Sequence, residues 1–177
     1  GANDRIRVGF IGVGGMGSGH VNTVNGLKEA NNLELVAIAD CWKSRAEERA
    51  QKAGVPHAFT DYRQLLDIDE IDYVTVAVPE HSHAPIAIDA MDAGKAVYCE
   101  KPMTHRIEQA QDVMRKQKET GCALQVGVQA MSDDSYITAA QAIAEGIIGQ
   151  VVQAQIEYVR RYDTQGPWRS RPPLKDD

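Results

Sequence analysis

The chain has 177 residues, room for one compact domain and a short remainder, with 43% apolar and 25% charged residues. That balance excludes a disordered, collagen-like or coiled-coil chain. A net charge of −6 without a dense Lys/Arg block argues against a nucleic-acid partner, and no apolar run reaches the roughly 18 residues of a membrane span, so no membrane role is expected.

The elements alternate along the chain. The run 5–11 is apolar and β-branched and predicts a strand, followed by a helix over 15–29. Strands are expected next at 33–39, at a short 57–60 and at 72–78, with helices at 43–53 and 61–66 between them. Tyr73, Val74, Val76, Ala77 and Val78 leave almost no polar position, the pattern of a central strand covered on both faces. A helix over 80–93 leads to a strand at 96–99, and a helix over 105–120 to a strand at 122–128. Gly54, Gly94 and Gly121 supply the stop signals. Within 105–120 the spacing of Ile107, Ala110 and Met114 predicts one buried stripe. This alternation predicts an α/β fold with a doubly wound parallel sheet.

A further helix is expected from Ser132 to Glu145, with Tyr136, Ala140, Ile143 and Ile147 on one face, broken by Gly146 and Gly149. From Val151 to Arg160 the period changes to two, which predicts a strand with one wet face. The proline-rich tail, Thr164 to Asp177, reads as irregular. Cys41, Cys99 and Cys122 are few and widely spaced, so no disulfide framework is implied. Gly1 in place of an initiating Met leaves the compartment open between cytoplasmic and, after loss of a targeting segment, exported.

The most specific signal is Gly12-Val13-Gly14-Gly15-Met16-Gly17, a G-x-G-x-x-G element between a strand and a helix. Gly12 suits a tight turn, Gly14 lets backbone approach a pyrophosphate, and Gly17 lets the helix pack against the strand. The helix N-terminus, at Gly15 and Met16, then offers free N–H groups to phosphate. Asp40 ends the next strand about 20 residues further on, where the acid that binds a ribose hydroxyl is expected. A carboxylate there repels the 2′-phosphate of NADP, so NAD is the expected cofactor and NADP the lesser one. Lys43 and Arg45 stand against this as charges able to neutralise a phosphate, or as the solvated first turn of a helix. Trp42 is placed to lie against adenine or to sit exposed beside the loop.

Glu100-Lys101-Pro102 follows the strand 96–99, at the carboxyl end of the sheet. His81 and His83 flank Ser82. Two histidines at i, i+2 are compatible with a metal, but no third and fourth ligand stands at supporting spacing and no metal site is expected. His20, His57 and His105 carry no signal, and the cysteines read as packing residues.

The glycine element, the Ala39-Asp40 strand end, Pro79 to His83, the Ala93-Gly94-Lys95 turn and Cys99-Glu100-Lys101-Pro102 together resemble the family of glucose-fructose oxidoreductase, inositol 2-dehydrogenase and the MocA-type oxidoreductases. The resemblance implies an NAD(P)-binding Rossmann domain over 1–130. The remainder, 131–177, would be the connecting helix and first strand of a substrate or oligomerisation domain that is otherwise missing. It implies hydride transfer between a nicotinamide and a secondary alcohol of a sugar or cyclitol, with Lys101 catalytic. Gly12, Gly14, Gly15, Met16, Gly17, Asp40, Pro79, His83, Glu100 and Lys101 would then contact the cofactor. Members continue into an Asp-x-x-x-His element that is not found here, so this chain is expected to bind cofactor only. The alternative is a catalytically silent dinucleotide-binding or interaction module. A homo-oligomer formed through pairing of 151–160 is the expected assembly, with disorder after about Gly149 as the alternative.

Overall fold

The computed structural model describes residues 5–157 and 159. Six strands, β1 (Ile6–Ile11), β2 (Leu33–Ala39), β3 (His57–Phe59), β4 (Tyr73–Val76), β5 (Ala96–Glu100) and β6 (Leu124–Gly127), form one sheet in the order β3-β2-β1-β4-β5-β6. Every neighbouring pair is parallel. Parallel neighbours need crossovers, and these are the helices α1 (Gly15–Leu27), α2 (Lys43–Ala53), α3 (Tyr62–Leu66), α4 (His83–Asp92) and α5 (Ile107–Thr120). The sheet is the doubly wound one that the alternation predicts, with the order typical of dinucleotide-binding folds.

The apolar residues separate into two cores, one for each face of the sheet. Val8, Phe10, Leu35 and Ile38 pack with Val21 of α1 and Ala46 and Ala50 of α2. Val74, Val76, Val97 and Cys99 pack with Leu65 of α3, with Ile86, Ala87, Ala90 and Met91 of α4, and with Val113 of α5. Because β1 and β4 are covered on both faces, their runs are almost wholly apolar, and each fully buried Val or Ile contributes about 1.5–3 kcal/mol.

Two expectations about packing are corrected. The buried side of α5 is not the Ile107–Met114 stripe: Ile107 is 75% and Met114 54% exposed, while Val113 is fully buried. The inward face is the one that carries Val113, with Ala110 and Gln117 partly buried on either side of it. Phase is set by contact with α4 rather than by the largest apolar residues. The run expected as a helix over 80–93 is also divided. Residues Glu80–Ser82 form a single 3-10 turn, and α4 proper begins at His83.

The chain divides into two compact units, Gly1–Val128 and Gln129–Asp177. In the second, α6 (Asp134–Ala144) forms where the periodicity predicts a helix, capped by the Asp133 carboxylate, which accepts from the Ser135 N–H at 2.9 Å. Residues 151–157 and 159 form no strand, contrary to expectation. Alternation decides which side chains share a face, but a strand exists only when a neighbour supplies its hydrogen bonds. Tyr158, Arg160 and the tail 161–177 lie outside the described residues. Among those described, no helix is long and apolar enough to cross a membrane.

The start of α1 lies close against the end of β1. A Cβ built on Gly17 would overlap the Gly12 carbonyl oxygen, and Gly12 itself, at φ 82°, would meet the Ala77 carbonyl oxygen at 2.6 Å. Gly17→Ala is therefore expected to push α1 off the sheet and destabilise the domain by about 1–3 kcal/mol. Thermal unfolding checks this, and a melting temperature equal to wild type would show that the approach is looser than described.

Candidate functional site

Open parallel sheets bind ligands outside the carboxyl ends of their strands, at the point where strand order reverses. Here that point lies between β1 and β4, and the turns after β1, β2, β4 and β5 carry the residues singled out in the sequence. They are the glycine loop, Asp40, Pro79 to His83, and Glu100 to Pro102.

The glycine loop ends as the first turn of α1, whose leading N–H groups have no partner within the helix. No side chain caps this end and no acidic residue sits in its first turn. The short α3 differs, since the Asp61 carboxylate accepts from the Arg63 N–H at 3.0 Å. A Cβ on Gly14 would meet nothing nearer than Arg45 Nη1 at 3.8 Å, and one on Gly15 nothing within 4 Å. Uncapped donors facing open space fit a pyrophosphate.

Asp40 is 7% exposed and ties β2 to this loop. Its Oδ2 accepts from the Val13 N–H at 2.9 Å and from Arg45 Nη1 at 3.5 Å, and its Oδ1 from the Trp42 N–H at 2.9 Å. A carboxylate has about four acceptor sites, and the second on Oδ1 holds a weak donor, the Cys41 thiol at 3.9 Å, which a ribose hydroxyl outcompetes. Arg45 lies over the Trp42 ring at 4.4 Å and so is no freely solvated residue of a first helical turn. These residues fit a dinucleotide with an unphosphorylated 2′-hydroxyl.

The turns after β4 and β5 are locked together by His83. Its Nδ1 lies 2.7 Å from the Pro102 carbonyl oxygen and its Nε2 2.8 Å from that of Val78, and the residue is 2% exposed. Both ring nitrogens are thus spent on backbone, and His83 shapes the cofactor edge without a polar atom left to face it. Pro79 and His81 are exposed on the same turn. Among the described residues no three His, Cys, Asp or Glu side chains converge as a metal site would require.

Glu100 is buried at the end of β5, 5% exposed, and Lys101 beside it is exposed. The Lys101 N–H donates to Glu100 Oε2 at 3.2 Å. The other oxygen, Oε1, is 2.8 Å from Nε2 of His20 on α1. The sequence reading set His20 aside, and this placement corrects it. Its signal was legible in the helical spacing: His20 falls three residues after Gly17, one turn along the face that meets the sheet edge. Cys99, on the adjoining position, is a packing residue, its thiol pushed up to about 12 by burial and, secondarily, by the charge of Glu100.

His83→Ala would remove a buried ring that donates to at least one of the Val78 and Pro102 carbonyls. It is expected to cost about 2 kcal/mol or more. Chemical denaturation measures the loss, and an unchanged midpoint would mean that the two carbonyls find other partners.

Comparison with known proteins agrees with this geometry. Residues 6–128 match the family model for GFO_IDH_MocA, described as an oxidoreductase family with an NAD-binding Rossmann fold. The chain is 33% identical over 153 residues to an inositol 2-dehydrogenase of Rubrobacter xylanophilus, covering 86% of this chain and 43% of that protein. It is 31% identical to the NAD(+)-dependent scyllo-inositol 2-dehydrogenase of Bacillus subtilis, covering 84% and 43%. Among solved structures, the scyllo-inositol dehydrogenase of Lactobacillus casei, with bound NAD(H) and scyllo-inositol, superposes with a TM-score of 0.77 at 26% identity, over 82% of this chain and 43% of that one. The chain therefore spans less than half the length of these relatives. It belongs to the Gfo/Idh/MocA oxidoreductase family, and its residues 6–128 are the NAD-binding Rossmann domain of that family.

Proposed function

We propose that this chain is the cofactor half of an oxidoreductase that takes hydride from a secondary alcohol of a cyclitol or sugar. The observation that carries the reading is the placement of Lys101. It is the exposed cation at the carboxyl edge of β5, with its backbone N–H held by a buried carboxylate, beside the sheet edge that binds NAD. NAD supplies the hydride acceptor. The alcohol carbon gives up its hydrogen with the bonding pair, the hydroxyl proton passes to a base, and a carbonyl remains. An ammonium group at the alcohol oxygen lowers the cost of the negative charge that develops there. The inositol dehydrogenases among the relatives support a polyhydroxylated ring as substrate.

Two measurements test the reading. The Asp40 carboxylate is expected to make NAD bind more tightly than NADP, because a 2′-phosphate would meet a buried negative charge that accepts hydrogen bonds and donates none. Asp40→Ser frees Arg45 and is expected to narrow that preference by about 1–3 kcal/mol in calorimetric titration. Tighter binding of NADP to the unaltered chain would overturn the assignment. In a form of the protein that carries a substrate domain, Lys101→Ala is expected to lower kcat by about 10²–10⁴-fold while NAD affinity stays within a few-fold. A normal rate in that variant removes Lys101 from the reaction.

A further inference from the structure

The two oxygens of Glu100 serve different parts of the fold. Oε2 accepts from the backbone N–H of Lys101 at 3.2 Å, whereas Oε1 lies 2.8 Å from Nε2 of His20, eighty residues away in sequence. The Glu100 side chain is 7% exposed and that of His20 21%, so both contacts are shielded from water and hold direction better than surface pairs do. The His20 ring is itself oriented: it meets the Tyr98 ring edge-on, with centroids 5.2 Å apart and planes at 69°. Tyr98 in turn is seated against Gly127, where an added Cβ would meet the Tyr98 hydroxyl oxygen at 2.5 Å.

His20 belongs to α1, the helix whose uncapped N-terminus faces the pyrophosphate position. A helix moves as a rigid rod over so few residues, so a shift at Gly14 and Gly15 is carried to His20 with little loss. We infer that His20 is a positioning residue that couples occupation of the pyrophosphate site to the placement of Lys101, acting through Glu100. Cofactor binding then draws α1 toward the phosphates, the His20 ring carries Glu100 with it, and the backbone of Lys101 follows. The lysine takes its working position once the dinucleotide is present. This rests on the proposed role of Lys101, but the coupling itself is read without any turnover.

The test uses ADP, which fills the adenosine and pyrophosphate positions and has no nicotinamide to touch Lys101. In the 177-residue chain, backbone amide resonances of Gly14 and Gly15 report occupation of the site, and the amide of Lys101 reports the coupling. Titrating ADP into the unaltered chain is expected to displace all three. In His20→Ala, and in His20→Asn, whose shorter side chain falls short of Glu100, the Gly14 and Gly15 displacements are expected to persist while that of Lys101 is lost. His20→Gln restores a donor near the position of Nε2 and is expected to restore the Lys101 response. A merely structural His20 would lower the melting temperature and leave the ADP response of Lys101 intact, which would overturn the inference. So would a Lys101 amide that stays still while Gly14 and Gly15 move in the unaltered chain, a result that needs no variant to fold. If Gly14 and Gly15 themselves fail to respond, the dinucleotide site falls, and the coupling falls with it.

Discussion

The contact between Gly17 and the Gly12 carbonyl sets the rest of the site. With hydrogen in place of a side chain at Gly17, α1 starts within backbone contact of β1 and its N-terminus comes to the carboxyl edge of the sheet. The parts of the site that belong to the glycine turn and α1 take their position from that approach. The first-turn N–H groups point at the pyrophosphate position, Val13 comes within 2.9 Å of Asp40, and His20 comes within 2.8 Å of Glu100. A methyl group at Gly17 would disturb all three together, because the first-turn N–H groups and His20 lie on α1 and Val13 on the turn that leads into it.

The edge is built by burying polar groups in pairs. Asp40, His83 and Glu100 are each almost inaccessible, and each has its polar atoms directed at backbone or at a named side chain. An unpaired buried polar group costs enough to unsettle a marginally stable domain, so such residues keep their partners. Here they tie loop to loop: β2 to the glycine turn through Asp40, the β4 turn to Pro102 through His83, and α1 to the β5 turn through Glu100. The exposed residues, Lys101 and Pro79 among them, project from a frame whose turns cannot drift independently. Positioning of this kind is what hydride transfer demands, since reacting atoms must be held close and aligned.

The legible part of the fold was large because the signals were redundant. The run 33–39 is apolar and β-branched and is bounded by turns, and β2 spans Leu33–Ala39. The run 43–53 predicts a helix, and α2 has those bounds, with Ala46 and Ala50 buried in the structure. Reading failed where one pattern served two outcomes. Ile107 and Met114 are the largest apolar residues of α5, yet the helix turns Val113 inward, because α4 offers its contact surface on that side. The alternation after Val151 is a real period of two, but pairing depends on a second strand, and periodicity carries no information about one.

For the site, the sequence by itself determined the parts that act through backbone and local spacing. A glycine element between strand and helix and an acid at the end of the next strand are short-range features, and their chemistry follows from residue type and order. Only the tertiary structure decided what the histidines do. His83 stood in the sequence as a cofactor contact, and the fold spends both its nitrogens on the Val78 and Pro102 carbonyls. His20 stood as incidental, and the fold carries it across eighty residues to Glu100. A side chain's partners in a parallel sheet are set by the order of the strands and the pitch of the crossover helices, which bring residues distant in the chain to one edge. That ordering is a property of the whole fold, not of any stretch of sequence short enough to be read alone.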